Sequence, residues 1–123
     1  MPVTDMLREF AGERNIAAES QEYLQQLISV IAKNQAEIDA ALTRSLTNWR
    51  LERLSVLDRN ILRLAAAEML YIEDVPPRVS IQEALTLAEK YGTLESPRFV
   101  NGVLDALMRY IEAGPGARGD QPR

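Results

Sequence analysis

From Leu57 to Ile72 the chain is apolar on nearly every side, and inside Ile61–Tyr71 only Arg63 and Glu68 interrupt the run. Leu and Ala dominate it, which favours helix over strand. A helix with one apolar stripe lies on a surface, whereas one that is apolar all round needs neighbours on most sides. This segment is therefore expected at the centre of its domain. Ser55, three residues before Asp58, reads as its capping box, with hydroxyl and carboxylate satisfying orphan N–H groups reciprocally. No period-2 alternation occurs anywhere in the sequence, so the predicted fold is all-α, a small helical bundle around an apolar central helix.

The remaining elements follow the same periodicity. Met6, Leu7 and Phe10 mark one face of a short amphipathic segment over residues 5–14, ended by Gly12 and Asn15. Ser20 reads as the cap of a long helix over 20–45, whose apolar positions Leu24, Leu27, Ile28, Ile31, Ile38 and Leu42 recur at three- and four-residue spacing. Thr47-Asn48-Trp49-Arg50 breaks that pattern. Pro76-Pro77 prevent the central helix from continuing. Ser80 and Glu83 suggest a second capping box, for a short helix that buries Ala84, Leu85, Leu87 and Ala88. Gly92 suits a C-terminal cap with positive φ. Ser96 is then the expected cap of a last helix with Pro97 at its first position, and Val100, Val103, Leu104, Leu107, Met108 and Ile111 form its apolar stripe. These elements make one domain over residues 1–113, followed by an expected disordered tail at 114–123, rich in Gly and Pro.

Composition narrows the chemistry. The 123 residues include neither Cys nor His, which removes disulfides, thiolates and the commonest metal ligand and general base. Glycines are scattered singly, so no phosphate-cradling loop is visible. Glu73 and Asp74 read as solvated turn residues beside the prolines. An enzyme, a metal site and a bound cofactor are all unexpected on these residues. No apolar run approaches the ~20 residues that span a bilayer, and Asp5 and Glu9 stand where a secretory leader would be basic and apolar. The expectation is a cytoplasmic protein. A net charge of −4 argues against a strong, independent nucleic-acid binder, although a local basic patch is compatible with it.

Arg98-Phe99, at the start of the last helix, admits two readings. Phe99 extends the apolar stripe while Arg98 is a surface charge, or the helix N-terminus and the guanidinium hold a phosphate while the ring stacks on an unpaired base. Gly102 costs a helix about 1 kcal/mol relative to Ala, which suggests close approach, foremost by a neighbouring helix. Arg63 and Glu68 read as points where the central helix reaches the surface, or else as a buried pair; surface emergence is the favoured reading.

The runs Asp74-Val75-Pro76-Pro77-Arg78-Val79-Ser80-Ile81-Gln82-Glu83-Ala84 and Tyr91-Gly92-Thr93-Leu94-Glu95-Ser96-Pro97-Arg98-Phe99-Val100-Asn101-Gly102-Val103-Leu104-Asp105 resemble the C-terminal signature of the NusB family of transcription antitermination factors. Trp49-Arg50-Leu51-Glu52-Arg53-Leu54-Ser55, Leu57-Asp58-Arg59, Ile61-Leu62-Arg63-Leu64 and Glu68-Met69-Leu70-Tyr71 are similar to that family's central helix and the loop entering it. The likeness is specific from about Trp49 to Leu107 and looser over 20–45.

The resemblance implies a NusB-like bundle that binds boxA-type RNA together with the ribosomal protein NusE, as part of a transcription elongation complex on ribosomal RNA operons. It places Glu95, Ser96, Arg98 and Phe99 at the RNA-facing end of the last helix, and Asp58, with Arg59 and Arg63 beside it, at the contact with NusE. Asn101, Gly102 and Asp105 match the motif and are assigned to packing and helix-end geometry. Two other roles fit the same resemblance: a module that holds a protein partner without binding RNA, and an RNA-recruiting domain like those of some RNA methyltransferases. The family opens with an arginine-rich helix, and this sequence starts at Met1-Pro2-Val3-Thr4, in what resembles the linker after it. The expectation is an N-terminal half whose Leu24, Leu27, Ile28 and Ile31 lack cover, with marginal stability or a homodimer through that face.

Overall fold

The computed structural model describes residues 17–114, and the segment at 5–14 and most of the tail at 114–123 lie outside them. Four helices follow one another: α1 (Ala17–Ser45), α2 (Val56–Tyr71), α3 (Pro77–Tyr91) and α4 (Ser96–Glu112), with a 3₁₀ turn at Leu51–Arg53 between α1 and α2. No strand occurs among the described residues. As its composition requires, α2 is the hub: α1, α3 and α4 all pack on it, and it buries Ile61, Leu62, Leu64, Ala65, Ala66, Ala67 and Met69. The stripe of α4 is equally faithful to the pattern, with Val100, Val103, Leu104, Leu107 and Met108 buried. No helix among the described residues is long and apolar enough to cross a membrane.

Several local expectations are corrected. Helix α1 is already helical at Ala17, so Ser20 lies inside it, and the helix is broken at Asn34 (φ −122°, ψ 21°). There the Asn34 side chain donates to the Val30 carbonyl at 2.9 Å, a back-bond of the kind that competes with the helical ladder. Ser80 is not a cap. Pro76 and Pro77 open α3, and Ser80 sits fully buried within it. Its hydroxyl donates to Glu68 Oε1 at 2.6 Å, and the Tyr23 hydroxyl of α1 donates to Glu68 Oε2. Glu68 is thus wholly buried rather than emerging at the surface, and its carboxyl group joins three helices.

Arg63 does not emerge freely either. Its Nε and Nη2 form a fork on the two carboxylate oxygens of Asp39 at 2.8 and 2.9 Å, tying α2 to α1. Two residues before Asp39 on α1, Glu37 accepts from the Tyr71 hydroxyl at 2.6 Å. Burial, and then this hydrogen bond and the charge of Glu37, push the Tyr71 phenol up to about 12. In the amino-terminal half of α1, Leu27 is fully buried, and Leu24 and Ile31 pack partly buried against the core. Only Ile28, 42% exposed, remains of the expected open stripe. It borders a groove of about 340 Å³ with Ile31, Ala32, Gln35, Asn60, Arg63 and Leu64.

Gly92 does not adopt positive φ (φ −90°, ψ −169°). Glycine stands there for lack of room: a Cβ would lie 2.5 Å from Ser96 Oγ and 2.7 Å from the Ala88 carbonyl oxygen. At Gly102 the reverse holds. The position is exposed, and a Cβ would meet nothing within 4 Å, so no neighbouring helix requires the glycine. Asn101 is exposed as well, and Asp105 pairs with Arg109 at 3.0 Å, so packing accounts for none of the three. Gly102→Ala should therefore stabilise the fold by about 0.5–1 kcal/mol, read by chemical denaturation. A loss of stability would mean that the glycine meets a contact that its exposed position on α4 does not require.

Candidate nucleic-acid interface

The chain between α1 and α2 is fixed at both ends by apolar anchors. Leu46, Leu51 and Leu54 are buried, the Leu54 N–H donates to the Leu51 carbonyl at 3.2 Å, and Asn48 takes the left-handed conformation (φ 68°). Asn is among the few residues that enter that region readily. Held in this way, the segment leaves Trp49 56% exposed, with its ring edge-to-face with Phe99 at 6.0 Å between centroids and 70° between planes.

Opposite, the α3–α4 turn is closed by Ser96. This residue is the first of α4 and does not cap it; its Oγ accepts from the Thr93 N–H at 3.0 Å, two residues before Glu95. The hydroxyl is buried in the turn, and Arg98 and Phe99 are presented one helical step further on. Arg98 is exposed. Phe99 packs one side against the core, as the apolar-stripe reading expects, and leaves the rest of its ring at the surface.

These two segments line one open pocket of about 520 Å³. Glu95, Ser96, Arg98 and Phe99 form one side together with Thr93; Trp49, Arg53, Leu54, Ser55 and Asp58 form the other. All four residues expected at an RNA contact and the principal residue expected at a protein contact thus meet at the same end of the bundle. The capping box at the start of α2 is half closed. Ser55 Oγ accepts from the Asp58 N–H at 3.0 Å, but the carboxylate does not reciprocate, and its Oδ1 is buried without a hydrogen-bond donor.

Arg59 and Arg63 are not brought to this pocket. Arg59 Nη1 folds back on the Glu52 carbonyl at 3.3 Å, and Arg63 is engaged with Asp39 beside the second groove. Sequence reasoning took Trp49 and Arg53 only as part of a pattern break and a family match. An isolated Trp next to a helix break was the available signal. The chemistry on offer is that of a recognition surface: aromatic faces, two guanidinium groups, two carboxylates and two helix starts. Among the described residues no group of three or more acidic side chains is placed to hold a metal ion.

The NusB family model matches residues 3–109. The transcription antitermination protein NusB of Bacillus mycoides is 48% identical over 86 residues, covering 70% of this chain and 66% of that protein. Its counterpart from Chloroherpeton thalassium is 39% identical over 94 residues, 76% of this chain and 44% of that protein. The chain thus spans between about half and two thirds of the length of these relatives. The solved structure of T. maritima NusB superposes with a TM-score of 0.74 at 32% identity, over 98% of this chain and 99% of that one. Architecture, motif and sequence agree: the chain belongs to the NusB family.

Proposed function

We propose that this chain is a transcription antitermination factor that binds boxA-type RNA jointly with the ribosomal protein NusE and delivers both to the elongation complex. It works as an adaptor and not as a catalyst. One observation carries the reading. The pocket at the α2 and α4 starts gathers a basic–aromatic pair and an unpartnered carboxylate at one end of the bundle, in a chain whose relatives bear the name transcription antitermination protein. Arg98 supplies a phosphate fork, and the exposed part of the Phe99 ring supplies a face for an unpaired base. Replacing Phe99 by Ala should weaken boxA binding by about 1–3 kcal/mol while leaving the helical circular dichroism unchanged. Equal affinity of the two proteins would remove Phe99 from the RNA site.

The second reading, a module that holds NusE without RNA, is favoured by one feature. Asp58 and Glu95 place two carboxylates in the same pocket, where they oppose a polyanion and attract a basic protein. Under both readings Asp58 lies at the edge of the pocket that NusE meets. Asp58→Lys should reduce NusE association, with the larger loss at low salt, because charge reversal at a partly exposed site acts through a screened field. Calorimetry at two ionic strengths decides this. Unchanged affinity at both would place the NusE contact elsewhere on the bundle.

A further inference from the structure

The pocket has a second wall, formed by the loop that leads into α2. Trp49 is the chain's single tryptophan and is more than half exposed, although both flanks of its loop are anchored in the core. A ring of that size left in water, against the trend of apolar burial, is a common mark of a contact surface. Its edge-to-face partner is Phe99 itself, so the two aromatics form a corner and not two isolated rings. Arg53, at the end of the 3₁₀ turn, and Arg98, in the first turn of α4, are both exposed and line the pocket from opposite segments. A volume of about 520 Å³ falls in the range that accommodates one small ligand, and a nucleotide is of that class. A corner of this kind takes a base that is free to leave its stack, whereas a base within a duplex is covered on both faces.

We propose that Trp49 and Arg53 complete the RNA site: the Trp49–Phe99 corner receives one unpaired base, and Arg53 and Arg98 hold the phosphates on its two sides, so the pocket selects single-stranded RNA. This rests on the RNA-binding reading above and adds to it the second stacking residue and the second phosphate contact. The carboxylates of Asp58 and Glu95 balance the two guanidinium groups within the pocket, so net charge contributes little there and stacking carries the affinity. Two phosphate contacts on a single strand correspond to a slope of about −1.4 in log affinity against log salt, shallow for a nucleic-acid site.

The lone tryptophan supplies a direct readout. The full chain, alone and then as its complex with NusE, is titrated with a short single-stranded boxA-type RNA and with the same strand annealed to its complement. Single-stranded RNA should quench Trp49 emission with the same midpoint as an independent binding signal, and the duplex should not. Trp49→Leu should bind about tenfold more weakly, Trp49→Phe should retain most of the affinity, and Arg53→Gln should flatten the salt slope by about 0.7. Quenching does not depend on any variant folding. If RNA binds in a Phe99-dependent way while Trp49 emission is unchanged and Trp49→Leu binds as the parent does, the corner is overturned and the Phe99 site stands. If NusE alone shifts the emission and RNA adds nothing, Trp49 belongs to the protein contact and the inference fails. RNA binding in neither state overturns both proposals.

Discussion

Glu68→Ala should destabilise the fold by about 3–5 kcal/mol, a fall in Tm on the order of 10–20 °C. Two effects add. The truncation opens a cavity in the middle of α2, where the parent side chain is fully buried. It also deprives the Tyr23 and Ser80 hydroxyls, on α1 and α3, of the acceptor they share. Ser80 has no exposure to water, so its hydroxyl carries the larger penalty, while Tyr23 is only partly buried. Glu68→Gln keeps the volume and one acceptor, and its amide can donate to a hydroxyl oxygen, so its loss should be smaller, about 1–2 kcal/mol. A double-mutant cycle with Ser80→Ala should show coupling between the two sites. Additive losses, or an Ala variant that melts with the parent, would mean that the network contributes little.

Gly92→Ala has the second large effect, and it reaches beyond stability. The new methyl group meets Ser96 Oγ and Cβ at 2.5 and 2.6 Å and the Ala88 carbonyl at 2.7 Å. Overpacking of this kind costs about 1–3 kcal/mol. Relief requires the turn to open, which withdraws Ser96 Oγ from the Thr93 N–H and displaces the first turn of α4, where Arg98 and Phe99 begin. Melting temperature and RNA affinity should therefore fall together. Ser96→Ala in the same chain should not restore them, because the Ser96 Cβ and the Ala88 carbonyl still occupy the space. A Gly92→Ala protein with parental Tm and affinity would show that the turn has slack.

Helix positions were legible in the sequence wherever a long periodic stripe meets the core, as in α2 and α4. Caps were not. A Ser followed three residues later by Glu suggests a helix start, yet Ser80 spends its hydroxyl on a carboxyl group twelve residues away in the chain, and Ser96 turns back to Thr93. Short-range patterns cannot see an acceptor that arrives with tertiary packing. Glu68 was misjudged for the same reason: its donors lie on α1 and α3. At the candidate site, the Arg98-Phe99 pair was visible as a basic–aromatic step at a helix start. The indole that meets it comes from a loop 50 residues earlier, and no spacing rule connects the two.

The break at Asn34 has a mechanical consequence. An unbroken α-helix of 29 residues would act as a rod, carrying any twist at Ala17 through to Ser45. With the ladder interrupted at Asn34, hydrogen-bond cooperativity stops there, and each half follows the contacts on its own side. The carboxy-terminal half is fastened by Ile38, Leu42, the Asp39–Arg63 fork and the Arg44 guanidinium over the Tyr110 ring. It leads directly into the loop that presents Trp49. The amino-terminal half is held separately, through Leu27 in the core and Tyr23 on Glu68. Asn34 thus divides one long helix into two shorter rods, each with its own set of fastenings.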